Sequence, residues 1–372
     1  MIFKGGIMVD FYFIGTGGMQ PLLKRRLSSA MIRRDGNIVL IDAGEGTQLG
    51  IRESGWCAKS ISTILLTHLH TDHILGLAGV LLTINNCERT DSIVIAGPVG
   101  TKRYVNSLKV VMPDLLFPIH FIEFKEDNEF ITSGDFEINA FALKHSVSCY
   151  GYSFYLRRFG KFDSEKSEKI DSSYWSELTH GRAVIDRNGK LLTSDDLLGP
   201  ERRGIKVTYV TDTRPTDNIV HNAYYSDVFI CEGMYSGTGE KDEINKIKNY
   251  HMTFAEAADL AKKAHVENLI LTHFNPAITY PKVFLDMLRE LFENSYVATD
   301  NLTFSLRFKD DLLSNYLNDT PITIENPNKY YVSFGDRNKN PYKPVIMKYN
   351  KKIRALIENP KSTRYGKKRK EL

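Results

Sequence analysis

Thr67-His68-Leu69-His70-Thr71-Asp72-His73 directly follows the apolar run STILL (62–66). Four groups able to hold a divalent cation fall within the six positions 68–73. Imidazole and carboxylate suit zinc and related ions. The compact spacing requires a turn, so that His68 and His70 face one ion while Asp72 and His73 face another. A polar loop with incidental histidines is the bland alternative. It would need three of the chain's ten histidines to fall there by accident.

One cluster cannot close two metal sites, so further donors must come from strand ends that face the same crevice. Three candidates fit. His145 follows FEINAFALK (136–144), Asp212 ends KVTYVTD (206–212), and His273 ends NLILTH (268–273). Each alone reads equally well as an ordinary strand-end polar residue. Together with the cluster they make seven ligands for two ions, with Asp212 able to bridge. The segment ILLTH (64–68) is echoed by LILTH (269–273), which suits two similar halves each delivering a histidine to one site.

Outward from these segments, short β-branched and aromatic runs recur: DFYFIG (10–15), NIVLID (37–42), STILLT (62–67), SIVIAG (92–97), FEINAFAL (136–143), GYSFYL (151–156), KVTYVTD, DVFICE (227–232) and NLILTH. Gly, Asp, Asn or Pro bounds each, as expected of strands. Helical patterns lie over 74–84, 102–111, 254–264 and 282–292. Mixed strands and helices predict an α/β layered architecture.

The chain has 372 residues, enough for one large or two ordinary domains. With 42% hydrophobic, 25% charged and 11% aromatic residues, it is neither collagen-like, mucin-like nor wholly disordered. The net charge of +4 is unevenly placed: residues 351–372 hold nine Lys/Arg and two Asp/Glu, leaving 40 basic and 43 acidic residues elsewhere. A global field drawing in a polyanion is therefore not supported, although local basic patches remain open. The four cysteines (Cys57, Cys87, Cys149, Cys231) form no C-x-x-C pair, which fits reduced thiols and a cytoplasmic setting. The longest apolar stretch, 74–84, falls short of a membrane span. The opening MIFKGGIMVDFYFIGTGG lacks a signal-peptide pattern, and Met1 and Met8 are both candidate starts. Residues 157–204 hold ten basic and nine acidic residues and read as a solvated arm or excursion without core. Short strands such as KYYVSF (329–334) and a disordered basic tail are expected beyond residue 309.

In order and spacing, these segments resemble ribonuclease Z, the endonuclease family within the metallo-β-lactamase superfamily that matures tRNA 3′ ends. The resemblance covers about residues 9–308. It is carried by FIGTGGMQP (13–21) with Ser28-Ser29, IDAGEGTQ (41–48), HLHTDH (68–73), GLAGVLL (76–82) and AGPVG (96–100). KHSVSCYGYSF (144–154), LLGPERRGIKVTYVTDTRP (197–215), HMTFAEAADLAKKA (251–264) and LTHF (271–274) complete it. The resemblance implies an αββα sandwich over 1–308, with two mixed sheets flanked by helices and residues 157–204 as the family's tRNA-grasping arm. Residues 309–372 would be a C-terminal extension. It also implies two zinc ions per subunit: His68, His70 and His145 on the first, Asp72, His73 and His273 on the second, and Asp212 bridging. Asp72 would double as proton acceptor. His251 matches the family's catalytic histidine and Glu232 its carboxylate partner. The implied partner is precursor tRNA, cut on the 3′ side of the discriminator base, with a homodimer lending one subunit's arm to the other's site and no membrane.

The chemistry agrees with phosphodiester cleavage. Two metals can clamp the attacking and leaving oxygens of an in-line displacement, and a carboxylate-held histidine suits protonation of the leaving ribose oxygen. His251 precedes a capping-box pattern, Thr253-x-x-Glu256, which puts it at a helix N-terminus. Three departures stand out. Cys231 replaces the family's His before Glu232; Asn275-Pro276-Ala277-Ile278 stands where Ser-x-Arg-Tyr usually follows the last zinc ligand; the arm's central Gly-Pro element is missing. The competing reading is a hydrolase of small or cyclic phosphodiesters. A di-iron reductase, which usually has Glu where His70 stands, and a metal-free RNA-binding relative rank lower. Gly15-Thr16-Gly17-Gly18 reads as a tight turn, and Lys24-Arg25-Arg26 and Arg33-Arg34 as solvated charge.

Overall fold

The structure is a computed structural model that describes residues 8–309. The expected strands around 329–334 and the basic tail lie outside the described residues. The chain divides into two compact units, one built from 8–155 and 206–307 and the other around 156–205.

The first unit contains two seven-stranded sheets. In chain order the strands are β1 (Met8–Gly15), β2 (Ser29–Arg34), β3 (Asn37–Ile41), β4 (Ile61–Leu65), β5 (Ile93–Pro98), β6 (Ile119–Phe124), β7 (Glu129–Ser133), β8 (Phe136–Ala142) and β9 (Tyr150–Arg158). There follow β10 (Val184–Ile185), β11 (Leu191–Leu192), β12 (Arg202–Val210), β13 (Val228–Glu232), β14 (Leu269–Thr272), β15 (Ser295–Val297) and β16 (Thr303–Arg307). One sheet runs β16-β1-β2-β3-β4-β5-β6 and the other β15-β14-β13-β12-β9-β8-β7. β3 to β6 are parallel, as are β12 to β15, while β16-β1-β2 and β7-β8 pair antiparallel. Both sheets are therefore mixed.

The parallel strands are apolar on both faces because each face is covered. Along β3, Ile38 and Leu40 join a cluster with Ile51, Leu77, Val80, Leu81 and Val105 from helices, whereas Val39 and Ile41 are buried on the opposite face. Along β13, Phe229 and Cys231 pack with Ile219, Ala257, Ala261 and Leu288 of the second helical layer. Between the sheets, the Phe11 and Tyr209 rings stack with centroids 6.3 Å apart, and Tyr152 Oη donates to the Leu66 carbonyl at 2.6 Å. The result is the αββα sandwich: helices, sheet, sheet, helices.

Helices follow the patterns expected near 74–84, 102–111, 254–264 and 282–292, with ends set by local chemistry. The first pattern splits at Gly76, into Thr71–Ile74 and Leu77–Asn85. A Cβ on Gly76 would fall 2.1 Å from the Gly44 carbonyl oxygen, so only glycine lets these segments meet. Helix Phe254–Lys263 carries the predicted capping box between Thr253 and Glu256. The four arginines expected as solvated charge all have partners instead, Arg26 pairing with Glu53 and Asp300 and Arg34 with Asp35 and Asp135. Arg25 is buried, stacks over Phe274 at 5.7 Å and donates to the Thr279 carbonyl. Arg33 pairs with Asp10 at 2.6 Å and covers Trp56 at 4.1 Å. No helix among the described residues is long and apolar enough to cross a membrane.

The second unit corrects one expectation. Residues 157–204 are charged, but they enclose a core of their own: Leu178, Leu192, Leu197 and Leu198, flanked by Phe159, Ile170, Tyr174, Trp175 and Val184. Polar residues close its short helices. Asp163 accepts from the backbone of Glu165 and Lys166, and Thr193 and Asp196 form a capping box. The strands β10 and β11 pair antiparallel within it. The high charge density concealed leucines spaced too irregularly to show a helical stripe. Leu178→Ala is expected to destabilise this unit by about 2–5 kcal/mol. Hydrogen exchange should quicken across 159–199 while β3–β5 and β13–β14 keep their protection; uniform acceleration would contradict a separate core.

Candidate metal centre

Seven donors meet beyond the carboxyl ends of β4, β8, β12 and β14, at the edge where open α/β sheets present their sites. His68 lies three residues past the end of β4 at Leu65. His70 caps helix Thr71–Ile74, whose first turn carries Asp72 and His73. From the second sheet come His145 beyond β8, Asp212 beyond β12 and His273 beyond β14. The echo between 64–68 and 269–273 thus corresponds to one histidine from each sheet.

The donors sort into two groups around Asp212. In the first, His70 Nδ1 lies 3.0 Å from His68 Nε2 and 3.2 Å from His145 Nε2. Asp212 Oδ2 is 3.6 Å from His68 Nε2 and 3.8 Å from His145 Nε2. In the second, His73 Nε2 and His273 Nε2 are 3.1 Å apart, and each is 3.2 Å from Asp212 Oδ1. Asp72 Oδ2 is 3.7 and 3.6 Å from the same two nitrogens. Donors on a tetrahedron with 2.0–2.1 Å bonds would lie about 3.3 Å apart. Both groups have that size, and the two oxygens of Asp212 are divided between them. Asp212 Oδ1 is also buried without an aligned hydrogen bond. Clustered lone pairs aimed at shared centres are the arrangement a pair of cations satisfies, so the residues fit divalent ions.

Protonation favours ligation at three of the histidines, whereas at His73 the Asp212 and Asp42 carboxylates outweigh burial and lift the imidazole well above its ordinary range. Burial pushes His68, His70 and His145 below the ordinary imidazole range, toward the neutral form that binds metal. Burial works against the charge of Asp72, but the His273 and His73 imidazoles hold its carboxyl well below the usual range.

Supporting contacts fix the donors. Asp42, at the end of β3, receives no role in the sequence reading. Its Oδ2 lies 2.8 Å from His73 Nδ1, and its Oδ1 accepts from the Thr67 amide at 2.8 Å. A carboxylate behind a histidine fixes the tautomer and turns the other nitrogen toward the ion. The glycine-rich turn serves the opposite wall. The Met19 amide donates to Asp72 Oδ2 at 2.7 Å, and a Cβ on Gly18 would lie 2.6 Å from His273 Cε1. That turn is therefore structural, as expected, and it also seats two donors.

His251 and Glu232 form a separate pair at the edge. His251 Nδ1 lies 3.1 and 3.2 Å from the two Glu232 oxygens, and its Nε2 is 4.0 Å from Asp212 Oδ2. Glu232 is fully buried and accepts from the Thr213 amide at 2.6 Å. Burial opposes protonation of His251, but the Glu232 carboxylate outweighs it and lifts the imidazole to about 9. Arg214 joins these parts: it donates to the His251 carbonyl at 2.5 Å and grips Glu256 at 2.5 and 3.1 Å. Asp212-Thr213-Arg214 thus ties a candidate metal donor, the buried carboxylate and the histidine segment together.

The double sandwich and its histidine–aspartate cluster define a metallo-β-lactamase-fold protein. Bacillus subtilis YhfI, a metallo-β-lactamase-fold protein, matches over 81% of this chain and 100% of its own, at TM-score 0.57 and 17% identity. The short form of human tRNase Z matches over 79% of this chain and 98% of its own, at TM-score 0.57 and 23% identity. A family model described as Anti-Pycsar protein Apyc1 matches residues 9–173. Ribonuclease Z of Lachnoclostridium phytofermentans is 44% identical over 304 residues, 81% of this chain and 99% of its own. That of Lachnospira eligens is 45% identical over 307 residues, 82% of this chain and 100% of its own. The chain belongs to the ribonuclease Z family.

Asp42→Asn is expected to weaken metal affinity about 10–100-fold, measured by chelator competition, because His73 loses its orienting carboxylate. Gly18→Ala should also weaken it by displacing His273; unaltered affinity in both variants would show that neither contact orients a ligand.

Proposed function

We propose that the chain is a metal-dependent endoribonuclease that cuts precursor tRNA on the 3′ side of the discriminator base. The observation that carries this reading is a buried Glu232–His251 pair set 4.0 Å from the carboxylate shared by two metal-sized donor groups. The ribonuclease Z relatives support the choice of substrate. Zinc is the proposed ion, two per subunit, in keeping with the imidazole-rich donor set. His68, His70 and His145 would hold one, Asp72, His73 and His273 the other, with Asp212 shared. When bound, these ions supply Lewis-acid stabilisation of the phosphate and acidify a water.

The chain's own residues do the rest. Asp72 is ionised and held by the Met19 amide, so it can accept a proton from the attacking water. His251 stands as the acid that donates its Nε2 proton to the leaving ribose 3′-oxygen. Glu232 holds Nδ1 and stabilises the charged imidazole. The buried walls around 68, 73, 212 and 273 exclude bulk water.

The proposal extends to a hydrolase domain over 1–308 with 309–372 appended, a homodimer, and a cytoplasmic setting consistent with four unpaired cysteines. Hydrolysis of small or cyclic phosphodiesters is the competing outcome. It would prevail if such esters turned over while precursor tRNA did not.

Cleavage of precursor tRNA by wild type and Asp72→Ala, with metal counted in each, tests the core reading. The variant is expected to lose cleavage. His251→Ala should keep its metal yet lose about 10²–10⁴-fold in kcat. The loss should shrink for a diester with a p-nitrophenolate leaving group, which needs no proton; an equal loss on both substrates would remove the acid role.

A further inference from the structure

Tyr250 stands immediately before His251, just past helix Glu240–Lys248. Its φ is +59°, a left-handed conformation that glycine adopts freely and a bulky residue does not. The backbone has a use for that conformation, since the Tyr250 carbonyl lies 3.3 Å from His145 Nδ1 and can accept its proton. Glycine would present the same carbonyl with less strain, and helices commonly end on it. The side chain therefore needs a reason of its own.

Packing supplies little of one. The residue is 38% exposed, and its ring meets His145 only edge-on, with centroids 6.4 Å apart. Its hydroxyl has no hydrogen-bond partner among the described residues. Tyr235 makes the contrast: it is buried, its hydroxyl accepts from Asn249 at 2.9 Å, and it walls His251 with ring centroids 6.2 Å apart. Tyr250 instead leaves part of its ring exposed at the lip of the site, one residue from the histidine assigned to the leaving oxygen. Ile247, whose carbonyl accepts from the Tyr250 amide, is also exposed and extends the apolar lip.

We propose that Tyr250 stacks on the nucleobase of the nucleotide whose 3′-oxygen leaves, and so selects nucleic-acid strands over simple phosphodiesters. This rests on the reading of the chain as a ribonuclease. A phosphate gains nothing from a flat aromatic face and a ribose less than a base, whose whole π-surface can stack on it. Stacking tolerates any base, as a site acting on many RNAs of different sequence requires.

The test pairs two precursor tRNAs, one with its natural base at that nucleotide and one abasic there, with wild type, Tyr250→Gly and Tyr250→Phe. Removing the base should lower kcat/KM about tenfold for wild type and Tyr250→Phe, but less than about twofold for Tyr250→Gly. As a readout independent of turnover, 2-aminopurine at the same nucleotide should be quenched on binding the metal-free wild type and Tyr250→Phe, but not Tyr250→Gly. Tyr250→Gly should melt no lower than wild type, its backbone strain being relieved. If it does melt lower, Tyr250→Asn, which also accepts a left-handed backbone, takes its place. Equal sensitivity to base removal in wild type and the ring-less variant, or quenching that survives loss of the ring, overturns the proposal. A wild-type protein that cuts no precursor tRNA would instead overturn the ribonuclease reading.

Discussion

The carboxylate of Asp212 is the constraint around which the rest is arranged. One oxygen faces His73 and His273, and the other faces His68 and His145. So many electron-rich atoms in a dry interior would repel water-stripped neighbours of their own kind unless positive charge lay between them. The surrounding chain holds them there regardless. Asp42, the Met19 amide and the Thr213–Glu232 contact each fix one part of the ring from behind. Both sheets contribute, so the sandwich has to be assembled before the donors can meet.

This division of labour explains where glycine is unavoidable. Gly18 and Gly76 lie where backbone touches a donor or the turn that carries it. It also accounts for Asp42 and His273, which adopt positive φ without being glycine. Each directs a polar side chain from a strand end into the cluster, and that requirement outweighs backbone preference at a functional site.

Much of this was legible in the chain, for identifiable reasons. Strands β4, β5, β13 and β14 are covered on both faces, so they read as largely apolar, β-branched runs close to their true bounds. The donor cluster was legible because four potential ligands crowd into six positions. The distant donors were legible only through their position at strand ends and the family pattern. Strands β2, β6 and β16 escaped notice because Arg33 and Arg34, His120 and Glu123, or Ser305 and Arg307 interrupt them; β6 and β16 are partly exposed. Helix Glu240–Lys248 is polar on most sides and shows no core stripe. Asp42 carried no local signal: its partner His73 is 31 positions away, and an acidic residue after a strand is commonplace.

Because the ligand shell is drawn from both layers of strands, an ion seated in it would act as a rivet through the sandwich. Ligands that bind only the assembled state add durability in proportion to the logarithm of their concentration. The molecule's lifetime in a cell would then track the local supply of divalent cations as well as its own hydrophobic interior.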